Sequence, residues 1–197
     1  MQQIRKSVFE TNSSSTHSIS ISSHGDIELV TPDDEGNINV DIGQFGWEEE
    51  IHSDFATKAS YLATQWWSRI NSDTLQKALN DETISEDFYR FMMGKQADKE
   101  NGYFNDYDLD FSQLCSPYSD HLRELNKLLS QLGGNEHMLF VDTIVAQTGA
   151  NDVIIRPTYI GYIDHQSIDV PEDAYSDLRN YLFNRASYVE TDNDNHY

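Results

Sequence analysis

Apolar residues change their spacing twice along this chain. Near the N-terminus, Ile4, Val8 and Phe9 punctuate a basic stretch, and His17 to Ser22 reads HSISIS, with Ile19 and Ile21 alternating with serines. A period of two marks a half-buried strand, so an opening hairpin is expected. Ile27 to Val30 and Ile38 to Ile42 read as two more strands around TPDDEGN, whose Pro, Asp and Gly favour a turn. The first quarter is expected to be a small antiparallel sheet. It leads into a loop, Gln44 to Glu50, that carries Trp47 and glutamates.

From Ser53 the period becomes helical. Phe55, Ala59, Leu62, Trp66 and Ile70 line one face of a helix over 53–70, with Ser53 or Asp54 able to cap its start. Asn71 to Asp73 end that helix and cap a short second one that turns Leu75, Ala78 and Leu79 inward. Ser85 opens a third, with Phe88, Phe91 and Met92 inside and Gly94 at its end, followed by a loop or edge ribbon from Lys95 to Phe111. Leu122, Leu125, Leu128, Leu129 and Leu132 define a helix that starts at Ser119 or Asp120 and stops at Gly133-Gly134. Another runs from Asn135 to about Gly149, which predicts an αα-hairpin.

The spacing then reverts. VIIRPTYIGYI, from Val153 to Ile163, is β-branched and aromatic and predicts a strand, or a strand pair broken at Pro157. Pro171 precedes a last helix over 173–183, and SYVETDNDNHY starts as a strand and ends as a polar tail. Strands at both ends around a helical middle predict an α+β fold. The N- and C-terminal strands, the first hairpin and Val153–Ile163 included, would share one antiparallel or mixed sheet with the helices packed on it. The 197 residues suit a single domain made of N-terminal strands (1–50), a helical middle (53–149) and C-terminal strands and helix (152–197).

Charge narrows the partners. Thirteen basic residues stand against 34 acidic ones, a formal charge of −21. Such a surface repels nucleic-acid phosphates and anionic membranes, and suits a basic protein partner or metal ions. One cysteine, Cys115, allows no internal disulfide and fits a reducing cytoplasm; it reads as a small apolar filler, with a thiol beside His121 as the alternative. No long apolar run suggests a signal peptide or a membrane span.

Candidate chemistry gathers in short polar words. In FETNSSSTHS, Ser13, Ser14, Ser15 and Thr16 form a run of hydroxyls between Asn12 and His17, with Glu10 before it and Ser18 after it. On a strand-to-strand connection, hydroxyls and backbone N–H groups can converge on an oxyanion. The alternative is a turn that bonds its own backbone. Asp164, His165, Gln166 and Ser167 follow an apolar strand and place a carboxylate and an imidazole at a sheet rim, where His165 or His17 could transfer a proton. The tail TDNDN offers Asp192 and Asp194 to a hard divalent cation; the alternative is a solvated acidic tail. Asp106, Asp108 and Asp110 alternate like the start of a calcium loop. Phe111 and Pro117 occupy the positions that need Gly and Glu, which rules out an EF-hand. There is no Walker A, GxGxxG, HExxH or paired CxxC sequence.

The words VFETNSSSTHS, YIDHQS and TDNDN resemble the signature of a family of uncharacterised proteins of tailed bacteriophages and related bacterial genomes. The resemblance implies a phage or prophage setting, hence the host cytoplasm, and singles out these three words. It implies no particular activity. Two functional readings stand. One is a site that binds or processes a phosphorylated small molecule or nucleotide, with Arg5, Lys6 and Arg156 or a metal ion offsetting repulsion. The other is an acidic, non-enzymatic protein that mimics DNA or binds a basic host defence or nucleic-acid-processing protein.

Overall fold

The computed structural model describes residues 4–5, 17–45, 50–100, 114, 119–163 and 173–191. The fold is α+β, with strands from both ends of the chain in one sheet and a helical region between them. The four-stranded sheet has the order β1 (Ile4–Arg5), β2 (His17–Ile21), β6 (Tyr188–Thr191), β4 (Glu50–His52), and every pairing in it is antiparallel. Its inner row, Ile19 and Val189, is buried at 7% and 0% exposure, the pattern that the HSISIS alternation predicts.

The strand Val153–Ile163 does not join the first hairpin. It belongs to β5 (Asp152–Ile163), which pairs in parallel with β3 (Asn37–Phe45) as a separate two-stranded sheet. The composition explains the difference. Ile38, Val40, Ile42, Val153 and Ile155 are all buried, and strands covered by helices pair in parallel more readily than strands with one wet face. The expected antiparallel first quarter is therefore corrected: β3 pairs with a partner more than a hundred residues away. β5 is continuous through Pro157, but its register slips between Ile42 and Gln44, so Pro157 stands beside an irregularity. Ile27 to Val30 is not a strand. Ile27 makes one isolated bridge to Asn184, and Leu29 is 90% exposed.

Helix α1 (Phe55–Ser68) follows its sequence signals. Thr57 N donates to Asp54 Oδ1 at 2.8 Å, and Phe55, Ala59, Leu62 and Trp66 are buried against β3 and β5. Helix α2 (Ser72–Asn80) opens with a reciprocal capping box between Asn71 and Thr74. Helix α3 (Glu86–Glu100) runs on past Gly94, which does not end it: nothing there demands a left-handed backbone, and glycine inside a helix costs only about 1 kcal/mol. Residues 95–100 are helical rather than loop, and 101–111 lie outside the described residues.

Helix α4 (Asp120–Thr148) is interrupted at Gly134, whose φ of 52° and ψ of −125° only glycine adopts without strain. Gly133 next to it lets the helix lie against Trp66, since a Cβ there would come within 3.1 Å of the indole. The last helix is split at Asp177 into α5 (Asp173–Ser176) and α6 (Leu178–Phe183). One cluster of buried side chains links both sheets to the helices. Among the described residues, no helix is long and apolar enough to cross a membrane.

Candidate functional site

The antiparallel register of the four-stranded sheet fixes where the polar words meet it. His17 of β2 stands opposite Thr191 of β6, and Thr191 stands opposite Glu50 of β4. These residues form one cross-strand row about 10 Å long, given Cα separations of about 5 Å per pair. His17 directly follows the hydroxyl run, and Thr191 directly precedes Asp192. The two-stranded sheet ends nearby. Ile163, the last residue before Asp164, is the register partner of Phe45. The Phe45 ring meets the His52 ring edge-on, with centroids 6.1 Å apart, and His52 pairs with Val189 two rows in from Thr191. Of the described residues within the three words, His17 and Thr191 are thus register partners, and Ile163 is tied to the same sheet only through the contact of Phe45 with His52.

Two carboxylates, Glu50 and Glu190, stand among the described residues there. The Ser18 hydroxyl donates to Glu190 Oε2 at 3.2 Å, so this member of the expected ligand-binding set already has a protein partner. His52 Nε2 lies 3.1 Å from Glu50 Oε2 but lacks the alignment of a hydrogen bond, which leaves a buried ring nitrogen beside a half-exposed carboxylate. His52 carries no partner spacing in the sequence; in β4 it shares a face with Glu50, as residues two apart on a strand do.

Glu10, Asn12, Ser13, Ser14, Ser15, Thr16, Asp164, His165, Gln166, Ser167, Asp192 and Asp194 lie outside the described residues, as does Cys115. Among the described residues, no group of three or more His, Cys, Asp or Glu side chains is placed to hold a metal ion. Arg156, a candidate to offset charge near the words, instead pairs with Asp41 at 2.8 Å, where parallel register sets the two side by side. His121 is a packing residue: its ring lies 5.6 Å from Phe88 and 5.1 Å from Phe91. His137 is a core histidine, buried to 9% exposure beside Trp66. Desolvation lowers its pKa, partly countered by the Asp152 charge.

No protein-family model, curated protein or solved structure matches the chain.

Proposed function

We propose that the corner formed by the ends of β2, β6 and β5 is a binding site for a phosphorylated small molecule, a nucleotide being the fullest fit. The observation that carries this is the shared row of His17, Thr191 and Glu50, with Ile163 paired to Phe45, whose ring meets His52. In this reading the hydroxyls of Ser13 to Thr16 and the Asn12 amide orient the oxyanion, with Glu10, Gln166 and Ser167 around it. His17 or His165, beside Asp164, moves a proton. Glu50 and Glu190 would repel a phosphate, so Asp192 and Asp194 serve to hold a divalent cation that bridges protein and ligand. The setting is the cytoplasm of a phage-infected or lysogenic host.

Calorimetric titration with inorganic phosphate and with nucleoside phosphates, each with and without Mg²⁺, tests the proposal. Saturable binding that Ser13→Ala together with Ser14→Ala weakens supports it, and no binding under any of these conditions rejects it. The charge of −21 favours a second reading, an acidic protein that engages a basic host factor. Capture of such a factor, released by salt and unaffected by the two serine changes, would favour that reading.

A further inference from the structure

A cleft of about 1010 Å³ opens between α4 and the paired strands β3 and β5, and shares no residue with the sheet corner. One end is acidic and the other carries Lys127 beside Arg123 and Arg156, which pair with Asp120 and Asp41, and the backbone register explains the arrangement. At one end Asn37 pairs with Asp152, and the turn of Asp33, Asp34 and Glu35 is tied there because Asn151 N donates to Gly36 O at 2.7 Å. At the other end Asp41 pairs with Arg156, four residues along, or about 13 Å at 3.3 Å per residue.

Helix α4 matches this polarity. Asn126 docks on β5 by accepting from Ile155 N at 2.9 Å and donating to Ile155 O at 2.8 Å, which sets its neighbours Arg123 and Lys127 at the Arg156 end. Beyond the break at Gly134, His137 feels the Asp152 charge, and Asp142 follows on the same wall. The lining also includes the apolar side chains of Leu122, Val141, Val153 and Ile154. His137 Nε2 has no hydrogen-bond partner, and its residue is 9% exposed. Neither Lys127 nor Asp142 has an ion-pair partner among the described residues, although both are exposed.

We propose that this cleft binds a small elongated zwitterion. Its ammonium or guanidinium would face Asp142 and Asp152, its carboxylate or phosphate would face Lys127, since Arg123 and Arg156 already pair with Asp120 and Asp41, and an apolar stem would lie on Leu122 and Val153. The bare charge of the molecule attracts any cation. The basic end of the cleft adds discrimination, because it accepts only a ligand that also carries an anion.

Titration of the full chain with ω-aminooctanoate, octanoate and octylamine, followed by amide chemical shifts, tests this. The zwitterion should bind about tenfold or more tightly than either singly charged compound. Its shifts should centre on α4 and β5. Lys127→Glu should erase its advantage over octylamine, and Asp142→Lys its advantage over octanoate. Both sites are exposed, and thermal melting confirms that each variant folds. Absence of saturable zwitterion binding, binding no tighter than octylamine, or a preference that survives both substitutions would overturn the proposal.

Discussion

Helix α1 and the corner of the four-stranded sheet treat polar groups in opposite ways. Along α1, Lys58 and Thr64 are sealed and answered, although Trp66 Nε1 is buried without a hydrogen bond. Lys58 has no exposed surface, yet its Nζ donates to Asn184 O at 2.9 Å and Ser187 O at 3.2 Å, which fastens the helix to the turn that leads into β6. Thr64, also fully buried, donates to Ser60 O at 2.7 Å and accepts from Gly43 N at 2.9 Å, which fastens the same helix to β3. At the corner, Glu50 and His52 approach to 3.1 Å without a hydrogen bond, and Glu50 keeps about half its side chain in water. A buried polar group with partners stabilises the fold. One left open remains available to a ligand. Substitutions in the first region should therefore change stability, and those in the second should change binding.

The largest effect belongs to the buried face of α1. Trp66 is fully buried, with its indole 5.2 Å from the Phe140 ring in a T-shaped contact. Trp66→Ala should cost about 3–5 kcal/mol in a denaturant melt, the range for truncating a large core aromatic. A shift too small to measure would break the contrast at its root.

Lys58 should reveal itself through pH. Burial lowers its pKa from 10.5 to about 8, against the pull of Glu28 and Asp54. Above pH 8 the folded chain sheds this proton while the unfolded chain keeps it, so stability rises with pH from about 8 towards 10.5. The full shift corresponds to on the order of 3 kcal/mol. Above pH 10 the buried hydroxyls of Tyr61, Tyr175 and Tyr181, whose pKa values burial raises, act the other way, because only the unfolded chain then ionises them. Unfolding free energies measured between pH 8 and 10 should climb in the native protein and flatten in Lys58→Met. An equal slope in both would show that Lys58 does not titrate in this window.

The smallest effect on stability, and the largest on function, is expected at the corner. If their role is binding rather than packing, His17→Ala and His165→Ala should each change unfolding free energy by no more than about 0.5 kcal/mol, the usual range for substitutions that remove no packed or buried feature. Each should weaken phosphate or nucleotide binding at least tenfold, about 1.4 kcal/mol. Loss of several kcal/mol of stability with binding intact would make these histidines structural and return the corner to the class of α1.

What the sequence revealed divides along similar lines. Local signals were legible: Asp54 and Asn71 cap the helices they were expected to cap, Gly134 breaks α4, and the HSISIS alternation gives a strand with Ile19 inside. Partnerships across long separations were not. Nothing in Ile38–Ile42 announces a parallel partner at Val153, because apolar runs do not encode direction. The three residues of β4 are too few for a period to show in the sequence, and the approach of His52 to Glu50 is not legible without the strand. The charge-separated cleft draws on residues from β3, α4 and β5 that form no word in the sequence, so only the register brings them together.

The central claim is that the hydroxyl run and the Asp164-His165 segment share the corner. With Cys115 replaced by Ala, nitroxide labels on cysteines introduced at Thr16 and Gln166 report that distance directly by electron paramagnetic resonance. The account predicts a separation below about 20 Å, the span of one small-ligand pocket plus the label arms. A separation at or beyond that value would contradict it.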